Sequence, residues 1–318
     1  MSKKKKLVVI TFTVVLLIIC FESIAIGYSY YLFSKVKNTN VGKNLLAKKD
    51  EKASIKNIQS DDSKNVSNIL LIGTDNCTLA DSIMILTVDR KNNEIKLSSI
   101  MRDSWVNIPG YGESKINASF SKGGALLLLR TINENYGLSI DKYVKVDFSK
   151  LPKIIDKLGG IDINITKQEA DIMSAYIKDL NKINKTNDKV VSGSGLKHLS
   201  GTQAVAYCRV RYTAGNDFKR TERQRHVLNI LINNISKLSF ANKLSFLGEM
   251  LSYVETNLKY SDIMTMSAKF IFMSNIKVKE NRFPNDGDYK DDWSDGVYKI
   301  RFNKKVTCNK LKNFINNY

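Results

Sequence analysis

The feature that most constrains this chain is a long apolar segment near its N-terminus. Residues 7–33 form a run of 27 residues with one charged side chain, Glu22. A hydrocarbon core about 30 Å thick takes roughly 20 apolar helical residues, so the run is long enough to cross a bilayer. A cleavable signal peptide also starts basic and apolar, but its apolar region is usually only about 7–15 residues long. We therefore predict one retained N-terminal transmembrane helix.

The residues on either side of the apolar run predict its orientation. Four lysines stand at positions 3–6, and lysines cluster at the cytoplasmic end of a span. Three tyrosines near its other end suit the outer interface, where amphipathic rings settle. We expect a single-pass plasma-membrane protein whose N-terminus is cytoplasmic and whose folded part is extracytoplasmic. The predicted divisions are a stub at 1–6, an anchor at 7–33, a linker at 34–67 and a domain at 68–318.

The net charge of +19 narrows the partners. A positive field of this size attracts polyanions, including nucleic acid, anionic lipid and phosphate-rich polymers. An exported domain without an evident helix-turn-helix makes nucleic acid a poor candidate, so we expect no such partner. Cys20 lies in the anchor, and Cys77, Cys208 and Cys308 allow at most one internal disulfide, whose pair the sequence does not identify.

Short apolar runs and helical patterns alternate through the rest of the chain. Strands are predicted at 68–73, 82–88, 94–100, 143–146 and 161–165, with a turn at 89–93. Helices are predicted at 125–135, 149–158 and 217–238, a short helix or extended piece at 201–207, and a polar surface excursion at 178–194. This alternation predicts an α/β domain with helices on both faces of its sheet.

Two aspartates stand at the ends of predicted buried strands. Asp75 stands two residues after the first strand and Asp81 directly precedes the second. Strand ends of α/β sheets are where ligands bind, and paired carboxylates suit Mg²⁺, which usually shares its coordination with substrate phosphates. Aspartates that only cap turns are the alternative interpretation, and spacing alone leaves both open.

Basic residues form two further groups. Arg102-Asp103 follows the third strand, where an ordinary surface ion pair is equally compatible with the pattern. Arg209 and Arg211 are two residues apart, so an extended segment would place both on one face. Arg220 and Gln224 share a helix face with the apolar stripe of Leu228, Leu231, Ile235 and Leu238. Because buried guanidinium groups need anions and grip phosphate in a fork, we predict an anion pocket.

These groups together resemble the LytR-CpsA-Psr family. The matching pieces run in family order across residues 68–228: NILLIGTD, ADSIMILTVD, SSIMRDSWVNIPGYGESKINASFSKGG, YVKVDFSKLPKIIDKLGGIDI and LKHLSGTQAVAYCRVRYTAGNDFKRTERQRHVL. The resemblance implies a three-layer αβα domain with a central mixed sheet. It also implies a phosphotransferase that moves a glycopolymer, such as wall teichoic acid or capsular polysaccharide, from a polyprenyl-pyrophosphate carrier onto peptidoglycan at the membrane.

The resemblance assigns roles to matching positions. Asp75 and Asp81 would hold Mg²⁺ or Mn²⁺, and Asp103 would orient Arg102 as the catalytic pair. The implied pyrophosphate ligands are Arg102, Arg209, Arg211, Arg220 and Gln224. In the loop at 107–121, Lys115 and Asn117 are our candidates for the acceptor side. Arg223 and Arg225 flank the apolar stripe and are expected to lie outside the site.

Two departures from the family pattern and two alternative functions accompany this assignment. Cys77 stands where the family often has an arginine, which would weaken one phosphate contact or change acceptor preference, and Met101 replaces a common proline. A pyrophosphate hydrolase would use the same site with water as the acceptor. A non-catalytic lipid-phosphate binding module would not need the aspartate pair.

Overall fold

The structure is a computed structural model that describes residues 66–75, 78–211, 216–271 and 276–316, together with Ser34, Lys37–Asn38 and Met273. The predicted anchor at 7–33 and Cys77 lie outside the described residues. Within the described ranges, no helix combines the length and apolar character needed to cross a membrane. The anchor therefore stays a prediction from the sequence.

The described chain contains strands and helices in alternation. The strands are β1 (Lys37–Asn38), β2 (Val66–Asp75), β3 (Leu79–Asp89), β4 (Glu94–Ile100), β5 (Trp105–Ile108), β6 (Gly112–Lys115), β7 (Tyr143–Asp147), β8 (Ile161–Ile165), β9 (Gly195–Leu199), β10 (Val254–Thr256), β11 (Lys277–Phe283), β12 (Tyr289–Asp292) and β13 (Lys299–Phe302). The helices are α1 (Ala118–Tyr136), α2 (Leu151–Lys157), α3 (Lys167–Asn184), α4 (Gly201–Arg209), α5 (Asn216–Lys237), α6 (Phe240–Met250), α7 (Tyr260–Ile271) and α8 (Lys304–Asn316).

A mixed sheet of seven strands forms the centre of the domain, in the order β1-β10-β7-β2-β3-β4-β11. Strands β2, β3 and β4 form an antiparallel meander, whereas β7 pairs parallel to β2 and β11 parallel to β4. Because β3 runs opposite to its two neighbours, its start lies at the same sheet edge as the ends of β2 and β4. That edge carries the candidate site.

Apolar side chains on opposite faces of the sheet pack against different helices. On one face, Ile83 and Ile85 of β3 join Leu128 of α1 and Leu311 of α8 in one buried core. On the other face, Ile95 and Leu97 of β4 join Ile232 of α5. Alternate residues of a strand point to opposite faces, so these buried β3 and β4 positions require helices on both sides. The predicted α/β fold with a central mixed sheet is confirmed.

A third core lies beside the sheet and supports the arginine-bearing segments. The hairpin β8–β9 packs with α2, α3, α4 and α5 around buried Ile163, Met173, Val205 and Leu231. Helix α4 starts with a capping box in which Ser200 accepts from the backbone N–H of Gln203. This capping satisfies N–H groups that a helix start leaves without intrahelical partners, and it fixes where α4 begins.

Most predicted elements agree with the structure, and one clear difference lies after β8. Helix α3 was not predicted, and the polar stretch at 178–194, expected as a surface excursion, begins with its last turns. A capping box of Thr166 and Glu169 starts α3, and buried Met173, Ile177 and Leu180 recur at helical spacing. The many lysines and asparagines of the exposed face outnumber this narrow apolar stripe, which is why the composition suggested a loop.

Candidate functional site

The first part of the site is an irregularity where β2 meets β3. The register pairs Gly73 with Ser82 and Thr74 with Ala80, so Asp81 is an extra residue with no opposite partner in this ladder. Such β-bulges bend a strand and re-aim side chains, often beside active sites. Strand β3 begins at Leu79, so Asp81 lies inside the strand and not before it as the sequence indicated. The bulge and the end of β2 bring Asp81 and Asp75 to one cavity.

Gly73 allows this edge of the sheet to close. A Cβ atom at Gly73 would lie 2.9 Å from the Phe148 ring and 2.9 Å from Ser82 Cβ. Real Cβ contacts are essentially never that short, so a larger residue would push the strands or the ring apart. Phe148 follows β7 and lines the cavity, so the glycine keeps this wall in place.

The second part of the site comes from the end of α4. Arg209 is the last residue of α4, and Arg211 lies two residues further on. The pair was predicted in an extended segment, but the structure places Arg209 on a helix. Both side chains nevertheless line the cavity, because the helix ends between them. The Arg209 guanidinium Nη2 lies 2.8 Å from Asp75 Oδ2, and its Cζ lies 5.5 Å from the ring centroid of Tyr176. Sheet edge and helix end are therefore joined by an ion pair.

The third part of the site is the first half of α5. Arg220 and Gln224 are 2% and 7% exposed, and both line the same cavity, as their position in line with the apolar stripe predicted. Burial lowers the pKa of Arg220 to about 10, with Asp217 opposing the shift. A buried guanidinium at this position stays charged at neutral pH and is therefore a fixed positive group in the wall.

Arg223 and Arg225 also lie on α5, but they have structural partners. Arg223 Nε lies 2.7 Å from Glu169 Oε1, and Arg223 Nη1 donates to the carbonyl oxygen of Val210 at 3.1 Å. Arg225 Nη1 donates to Ser99 Oγ at 2.9 Å. Both arginines are buried and outside the cavity lining, as expected. Their replacement would still destabilise the protein, because it would leave buried partners unpaired.

These segments enclose a cavity of about 190 Å³ at the sheet edge. Its wall combines three arginines, two aspartates, an amide, a thiol and two aromatic rings. The lining residues are Asp75, Asp81, Phe148, Tyr176, Cys208, Arg209, Arg211, Arg220 and Gln224. All predicted metal ligands and four of the five predicted pyrophosphate ligands are in this set, and the fifth, Arg102, contacts it through Asp81.

Asp81 is the centre of the charge network. Its Oδ1 accepts a short hydrogen bond from Arg102 and lies 3.5 Å from Arg211 Nη2 and 3.9 Å from Arg220 Nη1. Three guanidinium groups thus converge on one carboxylate oxygen, with Arg211 and Arg220 beyond ordinary hydrogen-bond distance or only weakly engaged. A ligand with several anionic oxygens could take over these contacts by replacing Asp81 as the partner of the arginines.

Asp217 is a site residue that the sequence interpretation missed. Its Oδ1 lies 2.8 Å from Arg220 Nη2 and 3.6 Å from Arg102 Nε. Burial would lower the pKa of Arg102, but Asp217, Asp103 and Asp81 raise it above its ordinary value. The sequence did contain a signal for Asp217. It stands three residues before Arg220 at the start of α5, and residues three apart face the same side of a helix. Phe148 and Tyr176 were also missed.

Asp103, Lys115 and Asn117 all lie close to Arg102, but their contacts differ from one another. Asp103 Oδ2 lies 3.5 Å from Arg102 Nε, and its Oδ1 lies closer, at 2.9 Å, to Lys115 Nζ. Asp103 is thus shared between the site and the β5–β6 hairpin. Asn117 is 6% exposed, and its backbone N–H donates to the carbonyl oxygen of Arg102 at 3.2 Å, so Asn117 helps to fix the backbone at Arg102.

Several buried polar atoms at the site lack a well-aligned hydrogen bond among the described residues. These atoms are Arg102 Nε, Arg220 Nε, Gln224 Oε1 and both carboxylate oxygens of Asp217, although Arg102 Nε and Asp217 Oδ1 lie within ion-pair distance of opposite charges. An unsatisfied buried polar atom costs about 1–3 kcal/mol, so such groups normally have a function or a ligand. The donors are arginine N–H groups, which suit phosphate oxygens.

The carboxylates also fit a hard divalent ion in part. Asp75 and Asp81 offer oxygen ligands at one cavity, which is also lined by Gln224, whose buried amide oxygen has no hydrogen bond among the described residues. Within the described residues, no group of three or more histidine, cysteine, aspartate or glutamate side chains is arranged to hold a metal ion. Two carboxylates at one cavity could contribute to a Mg²⁺ site, because this ion is commonly bound by one or two carboxylates together with substrate phosphates and water.

The two cysteines that the structure describes are free thiols. Cys208 is buried beside the cavity and Cys308 is half-buried on α8. Burial raises the pKa of the Cys208 thiol to about 12. A thiol with this pKa is protonated at neutral pH, so Cys208 contributes packing and not a nucleophile.

Comparisons with known proteins agree with this geometry. The sequence profile of the LytR_cpsA_psr family matches residues 30–314. Regulatory protein MsrR of Staphylococcus aureus is 30% identical over 257 residues, covering 78% of this chain and 74% of MsrR. TagU of Bacillus cereus, a polyisoprenyl-teichoic acid–peptidoglycan teichoic acid transferase, is 29% identical over 299 residues, covering 90% of this chain and 91% of TagU.

The fold is also similar to that of solved structures. TagT bound to LIIa-WTA superposes with a TM-score of 0.63 at 25% sequence identity, covering 79% of this chain and 91% of that chain. The profile match spans nearly the whole domain and includes every residue that lines the cavity. The chain therefore belongs to the LytR-CpsA-Psr family.

Proposed function

We propose that this protein is a membrane-anchored phosphotransferase that moves a glycopolymer from a polyprenyl-pyrophosphate carrier onto peptidoglycan. The observation that carries the proposal is the cluster of three arginines around Asp81, which lines one cavity together with Asp75. The names of TagU and of the TagT complex support the same class of substrate. Wall teichoic acid, a capsular polysaccharide and other secondary wall polymers are all compatible with this site.

The arginines would bind the donor pyrophosphate. Arg209 and Arg211 line the cavity from the end of α4, and Arg220 and Gln224 line it from α5. Guanidinium groups present planar forks of donors, which match phosphate oxygens better than a lysine ammonium does. Asp75 contacts Arg209, and Asp81 lies near Arg211 and Arg220, so the two carboxylates orient these side chains toward one cavity.

A divalent ion, Mg²⁺ or Mn²⁺, would bind at Asp75 and Asp81 and neutralise charge that develops on the pyrophosphate. On donor binding, Arg209 and Arg102 would exchange a carboxylate partner for a phosphate oxygen, which frees carboxylate oxygens to act as ligands. Asp217 would then keep Arg102 and Arg220 in place through its own contacts.

The transfer would make one bond and break another. An acceptor hydroxyl oxygen bonds to the phosphorus nearest the glycopolymer, the pyrophosphate P–O bond breaks, and polyprenyl phosphate leaves. The hydroxyl proton passes to a site carboxylate or to water. Phosphoryl transfer of this kind depends on positioning and charge stabilisation, so arginines with a metal ion are sufficient without a protein nucleophile.

The site residues stabilise the leaving group whichever oxygen attacks, so hydrolysis is the second candidate reaction. The test supplies purified protein with lipid-linked donor and Mg²⁺, with and without peptidoglycan fragments, and measures wall-attached and free polymer. We expect wall-attached polymer to be the main product when both substrates are present. Equal release of free polymer with and without the wall acceptor would favour the hydrolase and contradict the transferase.

A further inference from the structure

The β12–β13 hairpin lies against the candidate site on two sides. The backbone N–H of Ile300 donates to the carbonyl oxygen of Asp103, the residue after Arg102, at 3.0 Å. The ring of Tyr289 packs against the ring of Phe218, the residue after Asp217, with centroids 5.1 Å apart. The hairpin is therefore attached to both segments that position Arg102.

The turn of this hairpin exposes an aromatic surface. The turn residues Trp293 and Val297 are 64% and 47% exposed. The rings of Trp293 and Tyr298 pack together, with centroids 5.0 Å apart and planes inclined by 44°. Large aromatic side chains usually bury most of their surface, and Trp and Tyr that remain exposed are typical of binding surfaces.

Specific contacts hold the two aromatic residues in place. The Tyr298 hydroxyl donates to Asp291 Oδ1 at 2.8 Å. Lys115 Nζ lies 5.9 Å from the centroid of the Tyr298 ring and 2.9 Å from Asp103 Oδ1. This lysine thus links the aromatic surface directly to the aspartate beside Arg102. A ring fixed by such contacts loses little conformational entropy when it binds a ligand.

The charge around the aromatic surface limits what it can bind. Residues 286–299 contain five aspartates, and four of them form ion pairs with nearby cations, namely Arg282, Lys299, Arg301 and Lys310. The surroundings of the aromatic surface are therefore close to neutral and carry no excess of positive charge that would attract anionic lipid or phosphate-rich polymer. Carboxylates accept hydrogen bonds from hydroxyl and amide groups. An aromatic face bordered by carboxylates therefore suits an uncharged sugar, whose C–H face lies on the ring while its polar substituents reach the rim.

We propose that Trp293 and Tyr298 form a sugar-binding platform that holds the glycan strand of the peptidoglycan acceptor beside the arginine–aspartate cavity. The identity of this glycan as the acceptor rests on the proposed transferase function. The platform explains how one protein handles two polymers of opposite character. The arginine cavity takes the anionic donor, and the aspartate-rimmed aromatic surface takes the uncharged sugar chain.

The test measures binding to the full-length protein in detergent with a pentasaccharide of N-acetylglucosamine as the probe. We expect Trp293→Ala to weaken pentasaccharide binding at least tenfold, and Trp293→Phe to retain most of it because a ring remains. Leu196→Ala is the matched control, since Leu196 is a 73% exposed apolar residue on β9. Inorganic pyrophosphate should bind Trp293→Ala as it binds the wild type, whereas Arg209→Ala should lose pyrophosphate and keep the pentasaccharide.

The proposal is overturned if the wild type does not bind the pentasaccharide or if Trp293→Ala binds it equally well. It is also overturned if Trp293→Ala loses binding only to phosphatidylglycerol vesicles, which would make the surface a membrane contact. A transfer assay separates this proposal from the proposed function. Normal transfer with an unchanged acceptor KM in Trp293→Ala would remove the platform alone, whereas Trp293-dependent sugar binding without any transfer would remove the transferase alone.

Discussion

Replacement of Arg223 by alanine tests whether the arginines of α5 divide into structural and ligand-binding groups. Arg223 contacts Glu169 at 2.7 Å and the carbonyl oxygen of Val210 at 3.1 Å. The side chains of Arg223 and Glu169 are 7% and 11% exposed, so the pair is largely removed from water. Val210 lies between Arg209 and Arg211, so Arg223 also holds the backbone that carries them.

The expected cost follows from what the substitution leaves behind. Removing one member of a buried ion pair costs about 3–5 kcal/mol, because the remaining charge stays buried without a counterion. For a domain of this size, each kcal/mol lowers Tm by roughly 2–4 °C, so Arg223→Ala should lower Tm by about 6–20 °C. By contrast, Arg130 pairs with Glu134 in a partly exposed i,i+4 contact of α1. Arg130→Ala should cost only about 0.3–0.5 kcal/mol.

Urea unfolding of the purified protein, followed by circular dichroism, measures both free energies of unfolding. Arg209→Ala completes the comparison, because its contact with Asp75 is more exposed than the Arg223–Glu169 pair. We expect Arg209→Ala to stay nearly as stable as the wild type while losing pyrophosphate binding. If Arg223→Ala were destabilised by less than about 1 kcal/mol, as for an exposed pair, the structural role of Arg223 would be refuted.

Three further predictions concern the carboxylates and the sheet edge. Although burial alone would raise the pKa of Glu169, a backbone N–H and the paired guanidinium lower it below 4.5, so its stabilisation is present above that pH and lost as pH falls through the folded value. Glu169→Gln should therefore show a flatter fall in Tm between pH 6 and 3 in calorimetry, and an unchanged acid slope would contradict this. Gly73→Ala should cost about 1–3 kcal/mol by overpacking against Phe148 and Ser82. The double variant Gly73→Ala/Phe148→Leu should recover part of the lost Tm, because only the Ser82 contact remains, and no recovery at all would argue against a clash with the ring. Asp75→Ala and Asp81→Ala should abolish Mg²⁺-dependent turnover with circular dichroism unchanged, and wild-type activity in both would exclude the metal assignment.

Sequence patterns predicted much of the fold because short apolar runs and turn signals mark several of its central strands. The run at 68–73 and its two successors are buried in the sheet, and the predicted helix at 217–238 corresponds to α5. Helix α3 was missed because its polar face is much wider than its apolar stripe. A two-residue strand at Lys37–Asn38 pairs with β10 within the stretch predicted as a linker, since strand pairing across more than 200 residues leaves no local signal.

The sequence predicted which residues line the site better than it predicted how they are arranged. Arg220 and Gln224 could be placed because a polar residue in line with an apolar stripe must meet a partner inside the protein. The bulge at Asp81 could not be predicted, because it depends on the register between two strands. The same limit applied to Arg223, whose partner Glu169 lies 54 residues away on a helix that the sequence analysis did not recognise.

The measurement that tests the central claim most directly is the rate of polymer transfer to peptidoglycan by Arg209→Lys, compared with Arg130→Lys. Both substitutions keep the charge and remove the guanidinium fork, but only Arg209 lines the cavity with Asp75. A lost charge-assisted hydrogen bond costs about 1.5–3 kcal/mol, so Arg209→Lys should transfer polymer roughly 10–100-fold more slowly. Arg130→Lys should match the wild type. Equal transfer rates in the two variants would contradict a pyrophosphate site built on these arginines.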